Sequence, residues 1–210
     1  MPAVPVPDVL GLILAGGLSR RMGGGDKPLR LLGGRTLLDR VLARFAPQCG
    51  AGVILNANGD ARRFSGFPGK IVPDGVPDHP GPLAGILAGL DHAALHHPGI
   101  THVASVSGDA PFLPPDLVAR LAAVRDGDAI AVAASGTREH FTVALWPVAL
   151  RADLRQALVE RGERRVGAFL ARHGAVPVSW PTEPHDPFAN INTPEDLAAA
   201  ERVLAGAERS

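Results

Sequence analysis

The chain has no tyrosine, one cysteine and only 4% aromatic residues, and its Lys+Arg and Asp+Glu totals are both 21, giving zero formal net charge. A lone thiol, Cys49, cannot close an internal disulfide and is too few for a structural zinc site, which fits a reducing cytoplasm. Zero net charge excludes general electrostatic attraction to nucleic acid or acidic lipid, so neither is an expected partner. The N-terminus carries prolines at 2, 5 and 7 and lacks a basic segment or long apolar run, so it reads as neither a signal peptide nor a membrane span. Residues 1–8 are expected to form a short tail and 9–210 a single domain. With 210 residues such a domain buries roughly 70% of its unfolded surface.

What is present is a regular alternation. Apolar runs at Val9–Ala15, Gly52–Asn56, His102–Ser107, Ala129–Ala133 and Thr142–Trp146 predict strands. Helical spacing predicts helices over Thr36–Ala46, Leu83–His96, Pro115–Val124, Ala149–Glu160, Arg164–His173 and Pro194–Ala205. Strand and helix in alternation make βαβ units, so the expected fold is α/β: three layers, Rossmann-like, with a mostly parallel twisted sheet flanked by helices. Pro114-Pro115-Asp116 and Thr193-Pro194-Glu195-Asp196 mark helix starts, with Asp116 and Thr193 as the expected caps. Proline and glycine concentrate between Phe64 and Gly85, where a long ordered loop is expected. Ligands of such sheets sit beyond the carboxyl ends of strands, so the loops after residues 15, 56, 107 and 146 are expected to converge on one crevice.

The first of these loops carries the strongest chemical signal. The apolar run ending Leu12-Ile13-Leu14-Ala15 passes directly into Gly16-Gly17-Leu18-Ser19-Arg20-Arg21-Met22-Gly23-Gly24-Gly25-Asp26-Lys27. Glycines let backbone N–H groups approach a phosphate chain closely, while Arg20, Arg21 and Lys27 offer charge to phosphate oxygens. The loop is not a Walker A motif, because Lys27 is followed by Pro28 rather than by Ser or Thr, and Gly-x-Gly-x-x-Gly is absent. It reads as a cradle for a nucleotide triphosphate.

Other candidate residues lie at the remaining strand ends. Asp109, in Ser107-Gly108-Asp109-Ala110-Pro111, is placed as a magnesium ligand, since magnesium is held by one or two carboxylates together with substrate phosphates. Asn56 and Asn58 close another strand; Asn56 offers a planar donor and acceptor to a base edge, and Asn58 suits a turn. His92 and His96 are four apart on a predicted helix, but without a third ligand they read as a solvated face. His140 is either a pocket wall or a satisfied polar residue.

Taken together these blocks resemble the molybdenum cofactor guanylyltransferases, whose signature Leu-Ala-Gly-Gly-x-Ser-x-Arg-Met-Gly-x-x-Asp-Lys matches Leu14 to Lys27. The resemblance continues through Asp74, Pro80-Gly81-Pro82-Leu83-Ala84-Gly85, Gly162-Glu163-Arg164-Arg165-Val166 and Phe188-Ala189-Asn190-Ile191-Asn192-Thr193-Pro194-Glu195, so it spans Gly11 to about Leu197. The family often has Pro where this chain has Phe141. CTP-dependent relatives carry Leu-Ala-Ala-Gly, so Gly16 favours GTP.

The resemblance implies a nucleotidyltransferase that moves GMP from GTP to the phosphate of molybdenum-loaded molybdopterin, releasing pyrophosphate. It implies Leu14, Ala15, Gly16, Gly17, Lys27, Asn56, Asp74 and Asp109 as the GTP site in the N-terminal half, and Arg164, Arg165, Asn190 and Asn192 as the molybdopterin side in the C-terminal half. Arg21, Lys27 and Asp109 are the expected catalytic residues and Mg2+ the expected cofactor. Molybdoenzyme apoproteins or their chaperones are the implied receivers. The rival readings are a CTP-dependent or sugar-phosphate nucleotidyltransferase, and a non-catalytic chaperone that binds GTP and a pterin.

Overall fold

Strand β1 (Val9–Leu14) is buried along its whole length, as an unbroken apolar run at the centre of a parallel sheet must be. Its alternate side chains feed two cores. Val9 and Ile13 pack with Phe45, Val106 and Leu117 on one face, and Leu10, Leu12 and Leu14 with Ile86, Trp146 and Phe169 on the other. The computed structural model describes residues 4–16, 26–77 and 81–207. Among them one sheet runs in the order β5 (Ile71–Val72), β4 (Val53–Asn56), β1, β6 (His102–Ser107), β8 (Arg138–Pro147), β7 (Ala131–Ser135) and β9 (Val176–Trp180).

Helices α1 (Leu37–Phe45) and α3 (Leu117–Ala123) cover the first face, while α2 (Pro82–His96), α4 (Arg151–Val159) and α5 (Val166–His173) cover the second. The result is the expected three-layer α/β arrangement. A two-stranded ribbon, β2 (Leu31–Leu32) with β3 (Arg35–Thr36), and helix α6 (Pro194–Ala207) share a third cluster of Leu32, Leu37, Phe112, Ile191 and Ala200. No described helix is long and apolar enough to cross a membrane.

All pairings within the seven-stranded sheet are parallel except those of β8, which runs antiparallel to both β6 and β7. The cause is local. Only Gly136 and Thr137 separate β7 from β8, Gly136 has φ +55°, and a two-residue connection can join only antiparallel strands. This corrects one expectation: the loop after Trp146 does not join the crevice, because Trp146 pairs with Val103 towards the opposite end of the sheet. The start of β8 reaches the crevice instead. Strand β9 was hidden by Pro177, tolerated here because β9 is an edge strand. The segment expected as a long loop contains the short β5.

Helix starts differ in kind. Thr193 Oγ1 accepts from the Asp196 N–H at 3.1 Å while Asp196 Oδ2 accepts from the N–H groups of Asn192 and Thr193, a reciprocal cap. Asp116 stands at the N-cap of α3 without a side-chain cap bond, and its Oδ1 instead accepts from the Trp180 indole N–H at 3.0 Å.

Candidate active site

Parallel register aligns three strand ends. Leu14 of β1 lies opposite Asn56 of β4 and Ser107 of β6, and the ladder extends past them through Ala15 N–H to Asn56 O and Gly108 N–H to Leu14 O, both 2.9 Å. Chain order reverses direction about β1, the place where open α/β sheets bind ligands. A cleft of about 570 Å³ opens there, walled by Leu14, Ala15, Gly16, Asn56, Asn58 and Asp74, with Asp26, Arg63, Gly81, Pro82, Ser107 and Thr142 around them. Its volume lies within the roughly 300–1,000 Å³ of small-molecule sites. Gly17 and Arg21 lie outside the described residues.

One wall is a locked polar group. Asn56, only 4% exposed, donates both amide hydrogens inward, to Val72 O at 3.1 Å and Asp74 Oδ1 at 2.9 Å. Asn58 donates to Asp74 Oδ2 at 2.7 Å and accepts from the Asp74 N–H at 2.9 Å. Asn58 is therefore a cleft residue as well as a turn residue. Asn56 has no free amide hydrogen for a base, and its effect is to fix the Asp74 carboxylate. Helix α2 begins at Pro82 after Gly81, whose φ of +130° lies in a region that only glycine occupies easily.

Asp109, which is 8% exposed, does not line the cleft, nor does Lys27; Asp109 adjoins the cleft through Ser107. Asp109 Oδ1 accepts from the Ser107 hydroxyl at 2.5 Å and Oδ2 pairs with the Lys27 ammonium. Lys27 also donates to Asn192 Oδ1. The Ile191 N–H donates to Asp109 O at 3.0 Å, and Ile191 is buried in the third cluster, which turns its neighbours Asn190 and Asn192 away from that core. Lys27, Asp109 and Asn192 thus meet although the sequence reading divided them between two substrates. Among the described residues no group of three His, Cys, Asp or Glu could hold a metal ion. A single strand-end carboxylate next to a cleft of nucleotide size nevertheless fits magnesium, which takes its other oxygens from phosphates and water.

Arg63 is a cleft residue that the sequence reading missed. It sits on a single 3-10 turn, Ala61–Phe64, capped by Asp60, whose side chain accepts from the Arg62 N–H. Its guanidinium pairs with Asp26 and donates to the backbone oxygens of Asn58 and Asp60. Two adjacent arginines gave no hint of which one turned inward.

Arg164 and Arg165 are exposed and do not line this cleft. Their backbone N–H groups both donate to Glu163 Oε1 at 2.9 Å, and those bonds, led by the one from Arg165, hold the Glu163 carboxyl below its usual range. Glu163 therefore organises the entry to α5.

His140 is a satisfied buried histidine. Ser135 Oγ donates to Asp186 Oδ1 at 2.9 Å, so its oxygen must accept from His140 Nε2 at 2.6 Å. The hydroxyl lies between imidazole and carboxylate, an order that cannot activate it as a nucleophile. Burial keeps His140 neutral by pushing its pKa down against the opposing pull of Asp186. The His92 ring lies against those of His96 and His97 in tilted contacts, with centroids 4.5 and 5.5 Å away.

The family model described as a MobA-like NTP transferase domain matches residues 11–176. A protein of Bradyrhizobium sp. named molybdenum cofactor guanylyltransferase is 56% identical over 204 residues, covering 96% of this chain and 95% of that one. One of the same name from Nitrobacter hamburgensis is 53% identical, covering 96% and 97%. Among solved structures, molybdopterin-guanine dinucleotide biosynthesis protein A from Archaeoglobus fulgidus superposes with TM-score 0.71 at 24% identity, over 94% of this chain and 99% of that one.

Proposed function

The chain belongs to the MobA-like NTP transferase domain family, and from that premise we propose that it is a guanylyltransferase of molybdenum cofactor biosynthesis. It transfers GMP from GTP to the phosphate of molybdenum-loaded molybdopterin. A phosphate oxygen of the acceptor attacks the α-phosphorus, the α–β bridging bond breaks, and pyrophosphate leaves with its electron pair. The attacking group is already an anion at neutral pH, so alignment and charge stabilisation suffice and no general base is needed.

The observation that carries this reading is the convergence of the cleft at the ends of β1, β4 and β6 with the Lys27–Asp109–Asn192 cluster beside it. In it, Leu14, Ala15, Gly16 and Gly17 surround the nucleotide, and Asp74, held by Asn56 and Asn58, accepts from the two N–H donors that guanine but not cytosine offers on its pairing edge. Lys27 and Arg21 neutralise the triphosphate. Asp109 holds Mg2+, which when bound supplies further charge neutralisation at the phosphates. Asn190 and Asn192 face the pterin substrate, with Arg164 or Arg165 on its phosphate. Residues 9–210 act as one domain, with GTP on the N-terminal side and molybdopterin on the C-terminal side. A reducing cytoplasm suits the single buried thiol of Cys49, and molybdoenzyme apoproteins or their chaperones receive the product.

The test is pyrophosphate release from the purified protein with magnesium and molybdenum-loaded molybdopterin, GTP and CTP in parallel. Release with GTP alone is expected. Release with CTP overturns the base assignment, and no release with either overturns the reaction.

A further inference from the structure

Among the described residues lining the nucleotide cleft, three side chains are charged: Asp26, Asp74 and Arg63. Asp26 is the anomaly. It is joined directly to Lys27 at the end of the glycine-rich segment, and its side chain is only 16% exposed, so its negative charge faces the space that a polyanionic triphosphate must occupy. Arg63 is the cation that answers it. The guanidinium takes Asp26 on one nitrogen, Asn58 O on another and Asp60 O on the third, the last at 2.9 Å. Its carbon also lies 5.2 Å from the centre of the Phe64 ring. Because Asn58 grips Asp74, this one side chain links the wall after β4 to the residue preceding Lys27.

The neighbouring Arg62 supplies a contrast. It pairs with Asp60 at 3.0 Å with side-chain exposures of 90% and 51%, a solvent-screened pair of the kind that contributes little.

We infer that Arg63 is a positioning residue for the nucleotide substrate: it neutralises and holds Asp26, removing a negative charge from the path of the triphosphate and fixing the residue next to Lys27. The inference rests on the nucleotide reading of the cleft. Its effect runs through Asp26 and through charge, which sets it apart from a guanidinium that grips phosphate itself. Removing one partner of a part-buried charge pair leaves the other uncompensated, so R63A harms binding because Asp26 remains.

Equilibrium binding of GTP with Mg2+ to the full chain, by calorimetry, tests this without the second substrate, through a cycle of R63A, D26N and the double variant. R63A is expected to weaken GTP about tenfold in the parent chain and less than about twofold in the D26N background. R63K, which keeps the charge, is expected to recover most of the affinity, and R62A to leave it unchanged. Tm values confirm that each variant is folded. An equal R63A penalty in both backgrounds, or R63K as weak as R63A, overturns the proposal. So does unchanged binding by R63A. If the parent chain itself fails to bind GTP, the nucleotide reading falls and this inference with it; binding without pyrophosphate release removes only the proposed reaction.

Discussion

Gly85 and Gly89 lie one turn apart on α2 and both face the sheet, Gly85 against β1 and β4 and Gly89 against β1, yet their replacement by alanine should have different consequences. A Cβ at Gly85 would stand 2.2 Å from Asn56 Oδ1 and 2.9 Å from both Asn56 Cγ and Leu14 Cδ2. Asn56 cannot turn away without breaking its bonds to Val72 O and Asp74. Those bonds contribute about 1 kcal/mol and about 1.5–3 kcal/mol respectively, the second being to a charged group. Overpacking adds about 1–3 kcal/mol, and the better helix propensity of alanine returns about 1 kcal/mol. The net loss for G85A is roughly 3–6 kcal/mol, which at this chain length lowers Tm by at least about 6 °C. Because Asn56 fixes Asp74, GTP affinity should fall about tenfold or more, equivalent to about 1.4 kcal/mol. At Gly89 the nearest atom to a new Cβ is Leu12 Cδ2, at 2.6 Å, the end of an apolar side chain remote from the polar wall. G89A should therefore cost about 0–2 kcal/mol and leave GTP affinity within about twofold. Thermal melts and calorimetric GTP titrations on both variants decide the matter. G85A binding GTP like the parent chain, or G89A losing as much affinity, refutes the reasoning.

Lys27→Ala should lower turnover by about 10²–10³-fold while a thermal melt shows the fold intact; normal turnover removes Lys27 from the charge-stabilising role. Asn192→Ala should raise the KM for molybdopterin more than that for GTP, measured by pyrophosphate release, and the reverse pattern would move Asn192 to the nucleotide side. Burial holds both His102 and His140 below the usual histidine range, and His102 Nε2 is buried without a partner among the described residues. Depressed values mean that the unfolded chain binds more protons below about pH 6.5. Their contribution to stability is therefore complete above that pH and is lost as pH falls through the folded-state values. Tm should drop between pH 7.5 and 5.5, less steeply in H102N/H140N; equal slopes in the two proteins contradict this assignment.

The α/β class, the central strands, most helices and the residues at three strand ends were legible in the sequence because each depends on local periodicity or on a contiguous motif. A strand that enters a glycine-rich basic loop, and a carboxylate that ends another, need no tertiary information to be recognised. The direction of β8 was also written locally, in the two-residue turn at Gly136-Thr137, although the alternating pattern around it pointed to a parallel strand.

What side chains do to one another across the cleft was not legible. That Asn56 spends its amide on Asp74, that Asn192 reaches Lys27, and that Arg63 rather than Arg62 turns inward depend on register between β1, β4 and β6 and on the docking of Ile191 beneath Asp109. Periodicity places a residue on a face of its own element. Only the packing of elements far apart in sequence decides which charge meets which, because Coulomb and hydrogen-bond energies depend on distances of a few ångströms that the chain's order does not contain.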